Sequence, residues 1–358
     1  MRIDTDTNVI ANVRVRSGEF QIMPSMSMAH AMSNCLRIAS LASLAFAAGT
    51  ALADAPTQRL NPMIGLIEQG KPVMGLYAPS NRKPPGAPAD APVPHKSPAE
   101  LAKETVSYKL SDFVFDGSME YKYEETLPVF TEFAKALNAE NHLSKTPYPH
   151  IAYPMVVKIH EIAPDPELAA KHIGQQLDLG VSGIMFVGVE SPEEVKRGIA
   201  AMRYPAQGGT RADSVGSAPK YWGLSEKEYR AKADLWPLNP KGELINWVVV
   251  ESKEGLKHVR EIAAVKGIGV LWPGAGTLRQ VFSTTGADGK RVVDEQAWEG
   301  AIQSVLSACK EFKVACGIPT TPDQIEMRMR QGFSVFVMNW GEAGFKTIEV
   351  GRKAGGRS

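Results

Sequence analysis

Three cysteines in 358 residues cannot make a disulfide framework, and no Cys-x-x-Cys or His/Cys cluster suggests zinc. An excess of charge of one sign is also missing. Lys+Arg number 40 against 39 Asp+Glu, for a net charge of +1, where a dedicated nucleic-acid binder would show a basic excess or stripe. The longest apolar run falls short of the ~20 residues a membrane span needs. No Gly-x-Gly-x-x-Gly is present, which disfavours a dinucleotide-binding sheet. What remains is an ordinary globular composition, 44% apolar and 22% charged, long enough for one large α/β barrel or two medium domains.

Residues 1–53 read as an extension to be set aside. Arg37 supplies a positive start, Ile38 to Ala48 an apolar core, and Ala51-Leu52-Ala53 the small-x-small pattern that a signal peptidase reads. Met23, Met26, Met28 and Met32 offer later starts. Cleavage after Ala53 predicts a periplasmic chain, residues 54–358, with no membrane span; without a working signal it would be cytoplasmic. The segment removed carries four arginines and three acids, so the mature chain is net neutral. Cys309 and Cys316 remain. Pairing between them is possible but unforced, and two buried unpaired thiols are the reading preferred here.

The mature chain alternates strands and helices. Strands are predicted at Val73–Tyr77, Asp112–Phe115, Met155–Ile159, Gly183–Val189, Ile245–Val250, Ile268–Trp272, Lys313–Cys316 and Phe333–Met338. Helices are predicted between them, including Glu124–Leu137, Asp165–Leu179, Glu193–Met202, Lys253–Ala264, Glu295–Phe312 and Pro322–Gln331, with a capping box at Ser97/Glu100. Seven prolines in 79–98 mark an irregular loop, and 204–242 is an excursion with one helical piece at Ser225–Ala233. Both are expected to leave the catalytic end, as a lid over a larger substrate. Eight mostly unbroken apolar strands interleaved with helices predict a TIM (β/α)8 barrel as one domain over 54–358.

Chemistry in such a barrel sits at the C-terminal ends of the strands. Asp116, Glu120 and Tyr121 follow the second strand, and Lys158 and His160 end the third. Glu251 follows the fifth, and Gly274-Ala275-Gly276-Thr277 the sixth. Glu251 emerges from Trp247-Val248-Val249-Val250 either as a site carboxylate or as an acid favoured by a helix dipole. Lys158 is a nucleophile if desolvated, a cation orienting an oxyanion, or a solvated rim lysine. His160 shares its face if the strand continues, although a lone histidine is often structural.

Several segments together are similar to the HpcH/HpaI aldolase family. They are Asn61-Pro62 with Gly70-Lys71-Pro72-Val73-Met74-Gly75, Arg203-Tyr204-Pro205-Ala206-Gln207-Gly208-Gly209-Thr210-Arg211, Asp234 through Leu244, and Cys316-Gly317-Ile318-Pro319. The Arg-Tyr-Pro segment is the most specific, and the resemblance runs from about residue 58 to 340. It implies a barrel of the phosphoenolpyruvate/pyruvate type, usually a hexamer that is a trimer of helix-exchanged dimers. It also implies a small 2-oxo-acid substrate, and aldol cleavage or formation of a 4-hydroxy-2-oxo acid through an enolate of pyruvate. A divalent metal would act as Lewis acid, magnesium or manganese, with cobalt a further candidate.

Carried over by position, the resemblance places the first metal carboxylate at Glu251 and the second ligand at Thr277, where the family has Asp. Lys158 stands for an arginine that contacts the enolate. The family's Asp-x-Glu-His turn falls on Ser118-Met119-Glu120-Tyr121, or with a one-residue shift on Asp116 and Met119; either way the histidine is absent. Glu120, Asp116 and Glu190 are candidates to complete the metal shell, and Tyr121 and His160 to serve as acid or base. Gly274, Ala275, Gly276 and Thr277 are expected to line the substrate. The leading reading is a carbon–carbon lyase that forms homo-oligomers, trimer or hexamer. The alternative is an exported barrel that binds a small oxo acid or aromatic ligand without turning it over. With nineteen residues after Asn339, the final helix is short for exchange.

Overall fold

Strand β5 (Leu244–Val250) is buried at every position because both its faces are covered. Ile245, Trp247 and Val249 turn into one core, while Leu244, Val248 and Val250 turn outward against helices. The same alternation recurs around a closed sheet of β1 (Val73–Tyr77), β2 (Val114–Asp116), β3 (Met155–Ile159), β4 (Gly183–Phe186), β5, β6 (Val270–Pro273), β7 (Ala315–Pro319) and β8 (Val335–Met338). The spatial order is 4-3-2-1-8-7-6-5, and β5 pairs with β4 to close it. Every one of these pairings is parallel, with Val73 opposite Val335 at the β1–β8 seam and Gly183 opposite Ile245 at the closure. This is the TIM-type barrel the sequence predicts.

The computed structural model describes residues 58–357 except 84–87, 89, 91, 94, 141–142 and 288. The signal-peptide reading, and part of the proline-rich loop, lie outside the described residues. The described residues belong to one compact unit, Asp54–Ser358.

Inside the barrel, Trp247 stacks on Trp272 at 5.5 Å between ring centres and meets the edge of Phe113 at 5.3 Å. Room for these rings comes from the strand paired with that of Trp272. At Gly317 of β7 an added Cβ would lie 2.2 Å from the Trp272 ring. Helix α1 (Pro62–Glu68) puts Met63 and Ile64 into the same core and plugs the N-terminal end. Its Asn61 cap binds Glu243 on both backbone and side chain.

The outer layer includes α2 (Pro98–Ser107), α3 (Tyr123–Ala139), α4 (Pro166–Asp178) and α5 (Pro192–Met202). Ser97 and Glu100 form the expected capping box on α2, and Pro192 opens α5. The predicted helix 253–264 is two short ones, Lys253–Lys257 and Val259–Ala263, separated at His258 where ψ is 11°. Farther on come α6 (Ala275–Val281), α7 (Glu295–Phe312), α8 (Ile325–Gln331) and α9 (Glu342–Ala354).

Two expectations need correcting. Residues 204–242 connect the end of α5 to the start of β5, so they lie at the N-terminal end of the barrel and cannot roof the catalytic end. There Trp222 Nε1 donates to Gly180 O, and Arg211 lies buried between the Tyr204 and Tyr229 rings while pairing with Asp178 at 2.9 Å. The Arg-Tyr-Pro segment is therefore a structural strut. Second, Cys309 and Cys316 form a disulfide, with Cα atoms 5.7 Å apart, and are not free thiols. Lys313, in the left-handed region at φ 56°, turns the chain back from α7 so that β7 begins beside the helix end. The last helix, α9, packs on its own barrel. Its Gly351 lies against Met74 of β1, and beyond it Arg357 pairs with Asp112.

Candidate active site

Extending strand parity past the strand ends specifies the cavity. The inward positions at the C-terminal end are Tyr77 beside Phe115, and Lys158, Glu251, Gly274 and Asn339 following Val156, Val249, Trp272 and Val337 below them. All of these except Val156 line one cavity of about 280 Å³, together with Met185, Ala275, Gly276, Thr277 and Pro319. Its floor is aromatic and aliphatic and its rim polar, the usual composition of a small-molecule site.

Lys158 is half-buried, and its Nζ donates to Glu120 Oε2 at 2.7 Å. Glu120 is delivered by a single turn of 3-10 helix, Ser118–Glu120, after β2. Burial works against the charged lysine, but the hydrogen bond and charge of Glu120 outweigh it, so the Lys158 pKa stands above its ordinary value. Lys158 is thus a fixed ammonium, which favours the oxyanion-orienting role over the nucleophile. Tyr77 on the same wall is pushed up by burial and keeps its proton.

Opposite, Glu251 Oε1 accepts from the Gly188 amide at 3.0 Å. The carboxylate also lies over Gly274, where an added Cβ would come 2.4 Å from Glu251 Cβ and 2.6 Å from Oε2. Gly274 is required for the room it leaves and not for its backbone angle, since its φ of −70° is open to any residue. Ala275, Gly276 and Thr277 follow in the first turn of α6.

The remaining predicted residues separate. Asp116 accepts from the amide (2.7 Å) and hydroxyl of Ser118 and faces a neighbouring cavity. Tyr121 is 73% exposed at the rim, its pKa raised first by the Glu120 charge. Met119, the alternative occupant of the histidine position, is wholly buried. Glu190 accepts from Ser252 Oγ at 2.6 Å, away from the cavity. His160 does not reach the cavity, because β3 ends at Ile159 and the inward alternation ends with it. Instead its Nε2 meets His172 Nδ1 at 2.8 Å, and His172 Nε2 meets Glu124 Oε1 at 3.2 Å. Tyr77 and Trp272 were not selected from the sequence as site residues, and Asn339 was noted only as the polar residue that ends the eighth strand; inward parity at the last residue of the first and sixth strands, and one step past the eighth, would have found all three.

The donors for a divalent ion are sparse. Among the described residues no three His, Cys, Asp or Glu converge. Glu251 is the one carboxylate lining the cavity, with the neutral oxygens of Thr277 and Asn339. This set does not fit an ion held by the protein alone. It fits a hydrated ion held by one carboxylate and completed by two oxygens of a substrate, a manner in which magnesium is often bound.

A closed parallel barrel with its polar cavity at the C-terminal ends of the strands defines the class: a (β/α)8 barrel with a small-molecule cavity on the face where such barrels carry their sites. A family model described as HpcH/HpaI aldolase/citrate lyase matches residues 132–347, and the chain belongs to that family. A hydroxypyruvate/pyruvate aldolase of Deinococcus radiodurans is 30% identical over 180 residues, 49% of this chain and 57% of that one. A 5-keto-4-deoxy-D-glucarate aldolase of Salmonella gallinarum is 27% identical over 152 residues, 41% and 52% of the two chains. The chain thus spans about half the length of these curated relatives. Among solved structures, a HpcH/HpaI aldolase/citrate lyase family protein of Burkholderia cenocepacia superposes with a TM-score of 0.57 at 19% identity, over 78% of this chain and 92% of that one. That likeness is one of fold.

Proposed function

We propose that the chain is a carbon–carbon lyase that cleaves or forms a 4-hydroxy-2-oxo acid. The observation that carries this reading is the pairing of a fixed cation, Lys158, with a single carboxylate, Glu251, in one cavity above an apolar floor. A 2-oxo acid held there presents its carbonyl oxygen to Lys158, which donates to the negative charge that develops as the carbon–carbon bond breaks. A divalent ion bound at Glu251 and Thr277 would add Lewis acidity at that oxygen. Tyr77 and Asn339 donate hydrogen bonds that orient the substrate, and Trp272 excludes water beneath it. Glu120 holds the lysine charged and in place.

The test is pyruvate release by residues 54–358 from a panel of 4-hydroxy-2-oxo acids, with and without Mg²⁺, Mn²⁺ or Co²⁺. Release that Glu251→Gln and Lys158→Met abolish supports the reading; full activity in both variants defeats it. The second reading, a binding barrel without turnover, is favoured by one observation. Each carboxylate near the cavity already has a partner: Glu120 has Lys158, Asp116 has Ser118 and Glu251 has Gly188. Saturable binding indifferent to chelator, with no product, selects it.

Export to the periplasm is part of the proposal, and the Cys309–Cys316 disulfide supports it, because such bonds persist in oxidising compartments. A homo-oligomer is proposed as well, to be read from the mass in solution.

A further inference from the structure

Two further spaces adjoin the cavity of Lys158 and Glu251, one larger than it and one smaller. One, of about 410 Å³, shares Tyr77 and Asn339 with it and runs past Ser80, Arg82 and Trp340. The other, of about 230 Å³, shares Tyr77 and Lys158 and is also lined by Arg82. Arg82 therefore stands where the two side spaces meet, with Tyr77 between it and the reacting end.

The charges in the larger space do not cancel. Glu104 is engaged twice, in an ion pair with Lys96 and by the Trp340 indole N–H at 2.8 Å. Asp116 is engaged by the amide and hydroxyl of Ser118. Arg82, exposed on the segment after β1, has no hydrogen-bond or ion-pair partner among the described residues. Its guanidinium is a planar fork suited to a carboxylate, sulfonate or phosphate, and the neighbouring Tyr77 and Trp340 rings line the space for the chain that leads to such a group.

We propose that this side space is the subsite for the far end of the substrate, and that Arg82 binds an anionic group there. The ligand class is then a 2-oxo acid with a second acid several bonds from the reacting carbonyl. Lys158 and Glu251 hold the oxo-acid end, and Arg82 selects the other. This inference rests on the reading that the central cavity takes a 2-oxo acid, and it does not require that the acid be cleaved.

The experiment is calorimetric titration of residues 54–358, in magnesium buffer, with 2-oxoadipate and with 2-oxohexanoate. The two have the same chain length, but only the first carries a distal carboxylate. The expected result is about tenfold tighter binding of 2-oxoadipate, a ratio that falls to near one in Arg82→Gln and is partly restored in Arg82→Lys. Because the readout is a ratio within each variant, general loss of folded protein does not imitate it. Equal affinities in the unaltered chain, a preference that survives Arg82→Gln, or no saturable binding of either acid would each overturn the proposal. A preference for 2-oxoadipate with no cleavage of any 4-hydroxy-2-oxo acid leaves the subsite standing and removes only the lyase reading.

Discussion

Lys158 and Glu120 meet at 2.7 Å at the mouth of the barrel, the lysine from the end of β3 and the glutamate from the turn after β2. The pair holds the ammonium against the desolvation that would otherwise release its proton. A lysine kept charged is a poor nucleophile toward a carbonyl. Borohydride added with pyruvate should therefore leave no reduced adduct on Lys158, as read by intact mass. A mass increase at that residue would show that it works by Schiff base. Glu120→Gln weakens the restraint on the charge, and the rate of pyruvate release should begin to fall with rising pH at a lower pH than in the unaltered chain.

Glu251→Gln is expected to keep the fold, since the amide oxygen still accepts from Gly188 N–H. It removes the negative charge of the cavity wall. Pyruvate release should fall by about 100-fold or more, the usual cost of losing an electrostatic partner of the reacting group. Magnesium binding, followed in the presence of a 2-oxo acid, should weaken in parallel while the melting temperature stays nearly constant.

Gly317→Ala should destabilise the chain without touching the site's polar groups. Its new methyl would lie 2.2 Å from Trp272, itself stacked on Trp247, so one ring or the backbone must move. Overpacking of this kind costs about 1–3 kcal/mol, to be measured as a lower denaturant midpoint at unchanged slope.

His172 titrates below its ordinary value, chiefly through burial and secondly through the charge of His160, with Glu124 opposing. As pH falls below about 6.5, the unfolded chain takes up this proton before the folded one does, so stability is lost toward acid. The urea midpoint should be lower at pH 5.5 than at pH 7.5, and His172→Gln should reduce the difference. An equal difference in the variant would assign the acid sensitivity to other groups.

Reduction of Cys309–Cys316 should lower stability by about 2 kcal/mol, the magnitude for closing a short loop. Thiol titration of the unreduced chain under denaturant should find no free sulfhydryl in residues 54–358.

The barrel was legible because its strands announce themselves twice, as apolar runs and through the helix caps between them. β5 and α7 fall within a residue of where the pattern puts them. That Glu251, Lys158 and the 274–277 turn would gather at one cavity was legible because a polar residue at the end of an apolar strand has few places to go. His160 was misread because alternation predicts direction only while the strand lasts, and β3 stops one residue earlier. The 204–242 segment was misplaced because composition does not say which end of a barrel a connection covers. Counting connections does, since the link from a helix to the next strand always lies at the N-terminal end. The disulfide was missed because it depends on the reversal at Lys313, and a left-handed lysine carries no sequence signal.

The seam between β1 and β8 joins the first strand to the last, with Val73 against Val335 and Leu76 against Met338. Until β8 has been synthesised, β1 lacks one neighbour and the other seven strands are an open sheet with two unsatisfied edges. Arg357, beyond α9, then fastens the seam by reaching Asp112 and the carbonyl of Pro72. Closure must await the strand that follows β1 by about 260 residues, Val73 meeting Val335, a topology of long-range contacts that folds slowly. A nascent chain of this kind stays open while it is made, and its two sheet edges are exposed until the seam forms.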